Sequence, residues 1–226
     1  MQPTIIDQKF LTQEELEDIK SKVFMLRDHW KGVNSQTEDN KLLLSRVLPA
    51  GAYSKYFSEQ DIASNNEIMF EHFSFYYNKI KDKLSSYYNI PIHYAPNLQY
   101  PGFHIHLNND GDNVVEKSNV SFHMDTFPKL RKILRFENIE SIIIPISLPS
   151  SGGKLVWNNS AIRTENDRFA ELDSDNVFHY TDGMMAVWPG RMWHSIGPFT
   201  LMNSSEYRIT MQMHVNLRSD QGTIFW

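Results

Sequence analysis

A chain of 226 residues, 41% hydrophobic and with 14 phenylalanines, can fill one sizeable core but is short for two ordinary domains. A formal charge of -5 and a pI near 6.0 exclude nucleic-acid binding that depends on whole-molecule positive charge, because phosphate neutralisation needs a Lys/Arg excess. The absence of cysteine rules out disulfides, thiolate metal sites and cysteine nucleophiles, so any metal must sit on histidine and carboxylate.

Met1 to Phe10 lacks the basic start and apolar core of an export signal, and no run approaches the roughly 18 to 20 apolar residues of a membrane span. A soluble, cytoplasmic protein is expected, with neither nucleic acid nor membrane as partner. The first predicted helix opens on Thr12 and Glu15, a Ser/Thr-x-x-Glu capping box, and carries Leu16, Ile19, Val23 and Leu26 as one apolar stripe. Gly32 to Asn40 reads as an exposed loop, and Leu42 to Leu48 as a short strand or a buried turn. A second helix is predicted from about Asn66 to Tyr88, where Met69, Phe73, Tyr76, Ile80 and Leu84 recur at three and four residues and Pro91 lies just beyond the end.

Beyond Pro91 the pattern changes to short β-rich runs: Ile92 to Leu107, Asn119 to Met124, Ile139 to Leu148, Lys154 to Trp157, Val177 to Tyr180, Met184 to Trp188, Met192 to Ile196 and Tyr207 to Leu217. Turn-forming residues separate most of them, among them Asn109-Asp110-Gly111-Asp112, Ser151-Gly152-Gly153 and Thr181-Asp182-Gly183. No helix falls between successive strands, so a doubly wound parallel fold is excluded in favour of a small antiparallel barrel or sandwich with helices outside. Pro145 within Ile142 to Ile146 implies an edge strand or a bulge. The expected organisation is a single domain, residues 1-226, with 1-90 as helical support and 91-226 as the β core.

The chemistry centres on Ser121-Phe122-His123-Met124-Asp125, where strand alternation puts His123 and Asp125 on one face. His194, in Trp188-Pro189-Gly190-Arg191-Met192-Trp193-His194, can supply a second imidazole from the end of a strand after a tight turn. Two histidines and one carboxylate form the facial triad of non-haem Fe(II) oxygenases, which leaves open positions for cosubstrate and O₂. Shortly afterwards Tyr207-Arg208-Ile209-Thr210 begins a strand in which Arg208, Thr210, Gln212 and His214 alternate with Ile209, Met211, Met213 and Val215, so its polar face would line a cavity. An arginine with a hydroxyl two residues on can grip a carboxylate through a charge-assisted fork plus one hydrogen bond, which suits the distal carboxylate of 2-oxoglutarate.

In the order His-x-Asp, distal His, Arg-x-Thr, the stretch from Asn97 to Leu217 resembles the 2-oxoglutarate and Fe(II)-dependent dioxygenase superfamily, and Ser151-Gly152-Gly153-Lys154-Leu155-Val156-Trp157 is similar to its Gly-Gly-x-Leu strand. The resemblance implies a double-stranded β-helix, the cupin-like jelly-roll, flanked by α-helices. It implies Fe(II) on His123, Asp125 and His194, and 2-oxoglutarate as cosubstrate held by Arg208 and Thr210. Thr210 departs from the family's commoner Ser but keeps the hydroxyl. Asp125, where related halogenases carry a small residue, implies oxygen transfer: hydroxylation of a C–H bond in a small polar metabolite such as an amino acid derivative, with release of succinate and CO₂.

Two other readings stay open. His104-x-His106 with Asp110 and His194 resembles the metal set of cupins, although Pro189-Gly190 breaks the second cupin motif and Arg208-x-Thr210 goes unused. A catalytically silent jelly-roll binding module is the other. His29, His72, His93 and His179 have no convincing partners, and neither a Gly-x-Ser-x-Gly elbow nor a phosphate-binding glycine loop is present. Lys129, Arg131, Lys132, Arg135, Arg163 and Arg168 would favour an anionic small-molecule substrate if their loops rim the pocket, whereas a solvated basic face is the plainer reading.

Overall fold

The computed structural model describes residues 2–32, 45–48, 59–95, 97–108, 113–117, 123–125, 138–158 and 176–226. The expected loop over 33–40, the turn at 109–112, Asp110, residues 119–122 of the triad strand and all six basic loop residues lie outside them. The chain opens with strand β1 (Thr4–Asp7) and helix α1 (Gln13–Met25). The capping box forms: the Thr12 hydroxyl accepts from the Glu15 amide, and the Glu15 carboxylate accepts from the Thr12 N–H at 2.8 Å. Leu16, Ile19 and Val23 form the buried face of α1.

Strands β2 (Lys31–Gly32) and β3 (Ser45–Leu48) precede helix α2 (Glu59–Tyr88), which starts earlier than its apolar periodicity predicts. Ile62 to Asn65 are exposed or half-buried, so these four residues carry no buried stripe to read. From Met69 onward the predicted stripe, joined by Tyr77, is buried, and Asn89 at φ 54° ends the helix in the left-handed conformation.

The strands that follow are β4 (Ile92–Tyr94), β5 (Gly102–Leu107), β6 (Val115–Lys117), β7 (Asn138–Ser147), β8 (Ser151–Gly152) and β9 (Leu155–Asn158). Beyond residue 175 come β10 (Val177–Phe178), β11 (Met185–Pro189), β12 (Trp193–Ile196), β13 (Phe199–Leu201), β14 (Tyr207–Leu217) and β15 (Gly222–Phe225). The large sheet runs β1-β11-β7-β14-β5-β3-β2, with β15 and β4 added beside β14. The residues expected to give only helical support therefore also extend this sheet through β1, β2 and β3. A smaller sheet runs β10-β9-β12 and continues across an antiparallel bridge between His194 and His123; β6-β13-β8 forms a third.

The chain alternates between the two main layers, from β5 to the His123 bridge to β7 to β9, then from β10 to β11 to β12 to β14. The fold is a double-stranded β-helix. Alternation along the strands divides the apolar residues into two cores. Ile142, Ile144, Ile146, Ile209, Met211, Met213 and Val215 face α1 and α2, whereas Ile143, Ala186 and Trp188 face Leu155, Trp157 and Ile196 of the smaller sheet. Both faces of β7 are thus covered, which explains its unbroken apolar run. Pro145 sits at a bulge, not an edge: the register moves from Ile209 opposite Ser147 to Thr210 opposite Pro145, and β11 and β14 flank the strand on either side. Among the described residues no helix is long and apolar enough to cross a membrane.

Candidate metal centre

The segment carrying His123 is pinned by its backbone. His123 and His194 exchange N–H···O=C bonds, both 2.9 Å, and the Asp125 N–H donates to the Gly190 carbonyl at 3.0 Å. The tight Pro189-to-Met192 turn, closed by the Met192 N–H on the Pro189 carbonyl at 2.9 Å, thereby sets Asp125 relative to His194. The Nε2 of His123 lies 3.8 Å from Asp125 Oδ1, and the Nε2 of His194 lies 3.7 Å from Asp125 Oδ2. The three potential ligand atoms fall within 4.8 Å of one another, the one such group among the described residues. The His123 side chain is 45% exposed, against 13% for Asp125 and 6% for His194, so the group opens to solvent on the His123 side.

Protonation suits cation binding. His194 Nδ1 lies 2.9 Å from the Met192 carbonyl, which can only accept, so Nδ1 carries the proton and the Nε2 lone pair faces Asp125. Burial lowers the His194 pKa despite the nearby Asp125 charge. Burial pushes the Asp125 carboxyl up, but His214, His194, the Ser141 hydroxyl and His123 together outweigh it and hold it below the usual carboxylate range. Two histidines and an ionised carboxylate are the donor set that a divalent transition metal prefers.

Two residues stand behind Asp125: Ser141, which the sequence reading missed, and His214, which it placed on the cavity face without a partner. Ser141 on β7 donates its hydroxyl to Asp125 Oδ2, and that same Oγ lies 3.2 Å from Nδ1 of the buried His214 on β14. Ser141 and His214 are cross-strand partners, so the chain His214–Ser141–Asp125 follows from register. Sequence alternation marks His214 as inward-facing but cannot say which residue of another strand it meets.

Farther along the polar face of β14, Arg208 and Thr210 are 1% and 0% exposed. Arg208 leaves Nε and Nη2 buried with no hydrogen-bond partner among the described residues. Its guanidinium lies over the Phe199 ring, 5.7 Å from the centroid. Gly153, at φ +71°, leaves room for it, because a Cβ there would come within 3.3 Å of Arg208 Nε. Burial lowers the Arg208 pKa to about 10, so it stays charged at neutral pH. An interior cation with two free donors is costly alone and suits an anionic ligand.

Among the described residues, the two histidines of the rival cupin set do not gather with His194. His104 packs on Trp226 with ring centroids 5.2 Å apart, and His106 stands edge-on to Phe199 at 5.3 Å. Neither joins His194 in the ligand group.

No protein-family model matches the sequence, and no curated protein matches it. Solved structures do: AviO1 from Streptomyces viridochromogenes Tue57 at 10% identity and TM-score 0.49, covering 97% of this chain and 91% of that one. A Pseudomonas putida prolyl-4-hydroxylase matches at 9% and 0.43, covering 93% and 88%. An N-substituted L-amino acid dioxygenase from Burkholderia ambifaria AMMD matches at 10% and 0.42, covering 75% and 76%. With TM-scores below 0.5 these likenesses add no argument to the strand pairing, which carries the fold alone.

Proposed function

We propose that this chain is a non-haem Fe(II)- and 2-oxoglutarate-dependent oxygenase that hydroxylates a C–H bond of a small polar molecule such as an amino acid derivative. The observation that carries the reading is the pairing, inside one β-helix, of the His123–Asp125–His194 group with a buried Arg208 whose Nε and Nη2 have no protein partner among the described residues. Bound there, Fe(II) with 2-oxoglutarate and O₂ would supply the oxidant, with succinate and CO₂ as co-products.

The chain's own residues provide charge, orientation and dryness. Asp125 supplies the single negative charge of the ligand set, and the Met192 carbonyl keeps His194 in the tautomer that offers Nε2. Arg208 and Thr210 would take the far carboxylate of the cosubstrate through a side-on fork and a hydroxyl. Trp188 packs against the His194 ring, 5.4 Å between centroids, and with Ile143, Leu155 and Trp157 forms an apolar interior behind the buried side of the metal group, opposite the open His123 side.

The test is an anaerobic titration of Fe(II)-loaded protein with 2-oxoglutarate, followed by the visible charge-transfer band. A saturable band, lost in His123→Ala and weakened in Arg208→Ala, is expected. One bound metal per chain with no band would overturn the reading in favour of a cupin-type metal protein or a silent binding module.

A further inference from the structure

His214 is buried beside the metal group without belonging to it. Its side chain is 8% exposed and Nδ1 lies 4.0 Å from Asp125 Oδ2, yet among the described residues only His123, Asp125 and His194 gather as potential ligands. Register holds the ring from both sides. On β14, His214 stands opposite Ser141 of β7 and Phe225 of β15, and the Phe225 ring lies 5.7 Å away at 37°. The Ser141 hydroxyl oxygen is within hydrogen-bond reach of Asp125 Oδ2 and, at 3.2 Å, of His214 Nδ1.

Counting protons gives this chain a direction. Asp125 is held below the usual carboxylate range, so its oxygens only accept, and the single Ser141 proton goes to Oδ2. Toward His214 the same hydroxyl can then only accept, which places a proton on His214 Nδ1. Nδ1 carries that proton in the neutral ring and in the charged ring alike. An imidazole that donates to Ser141 keeps the hydroxyl from turning its own proton toward β14, and it polarises the bond onward to Asp125. Asp125 is thereby fixed at two points, at its amide by the Gly190 carbonyl and at Oδ2 by Ser141.

We propose that His214 is a positioning residue for Asp125 that acts through Ser141: its Nδ1–H aims the hydroxyl, and the hydroxyl holds the carboxylate in the orientation that faces both ligand imidazoles. The inference rests on the metal reading above and keeps His214 itself out of the ligand set.

The experiment measures the Fe(II) affinity of the full chain anaerobically, by competition with a chromophoric chelator. The proteins are wild type, His214→Leu, His214→Asn, His214→Gln, Ser141→Ala and the Ser141→Ala/His214→Leu double variant. An asparagine amide nitrogen takes roughly the place of Nδ1, whereas a glutamine amide nitrogen reaches toward that of Nε2. His214→Leu is expected to weaken Fe(II) binding about three- to tenfold, His214→Asn to stay within about twofold of wild type, and His214→Gln to match His214→Leu. The double variant should bind no more than about twofold more weakly than Ser141→Ala, because removing the hydroxyl already removes the path. A merely structural histidine would not distinguish Asn from Gln in this way. Thermal midpoints of the metal-free variants report on the fold separately, and if His214→Leu does not fold, the Asn and Gln pair decides alone. Wild-type affinity in His214→Leu or His214→Gln, no recovery in His214→Asn, or a double variant that shows the full product of the two single losses overturns the relay. Failure of the wild type to bind one Fe(II) per chain overturns the metal reading beneath it.

Discussion

The two faces of β14 are equally buried and chemically opposite. Ile209, Met211, Met213 and Val215 are 0–1% exposed and packed against the helices, where dispersion and water exclusion satisfy them. Arg208, Thr210 and His214 on the other face are 0–6% exposed, with Gln212 half-buried among them, yet Arg208 leaves two donors without a partner among the described residues. Burial alone therefore does not separate core from site. On this strand what separates them is a buried charge without a hydrogen-bond partner among the described residues, which the helix-facing side chains have no means to leave.

Removing one imidazole should divide the faces most sharply. His194→Ala is expected to abolish Fe(II) retention, measured by metal content after desalting, while the far-ultraviolet circular dichroism of the variant stays that of wild type. Met213→Ala should do the reverse, costing about 2–5 kcal/mol of unfolding free energy by denaturant titration and leaving metal affinity per folded molecule unchanged. If Met213→Ala weakened metal binding as much as it weakened the fold, the independence of the faces would be refuted.

Arg208→Met makes the comparison direct, since it places on the polar face the kind of side chain that the opposite face already carries. The ligand-free variant should be more stable than wild type by about 1–4 kcal/mol, the gain seen when buried charge gives way to apolar packing, and should lose 2-oxoglutarate binding. A destabilised Arg208→Met would mean that the guanidinium is satisfied within the protein. Ser141→Ala acts one step behind the metal group, and about a ten- to hundredfold weaker Fe(II) affinity is expected, with 2-oxoglutarate affinity at saturating metal nearly unaffected.

What was legible in the sequence was local. The Thr12–Glu15 cap, the stripe from Met69 to Leu84 and the alternation of β14 each depend on residues within a turn or a strand of one another, and all three stand in the structure. The placement of His123, Asp125 and His194 together was legible through the resemblance of His-x-Asp, distal His and Arg-x-Thr to the dioxygenase pattern, since spacing alone left His104, His106 and Asp110 with His194 as a rival set. Strands of two to four residues such as β1, β6, β8, β13 and β15 are too short for a period-two signal, and Ile62 to Asn65 of α2 bury no stripe. Pro145 announced an irregularity, but only cross-strand register makes it a bulge in a central strand. The same limit hid Ser141 behind Asp125, a contact between distant parts of the chain.

Acid should separate the faces last and most mildly. His104 lies on β5 opposite Thr210, and burial, reinforced by the Arg208 charge, lowers its pKa to about 3. An unfolded histidine takes up its proton near pH 6.5, so between there and about pH 3 the unfolded chain binds a proton that the folded chain refuses. The penalty is absent above pH 6.5 and grows as pH falls through that window, which makes His104 a source of acid lability. The apolar face has no titrating group and contributes no slope. In metal-free protein, His104→Gln should therefore flatten the fall in unfolding free energy from pH 6.5 toward pH 4, where Asp125 still favours the fold because its own pKa is depressed. An unaltered slope would show that His104 takes up its proton in the folded protein, and would leave the acid lability of the polar face to His214, whose pKa burial lowers to about 4.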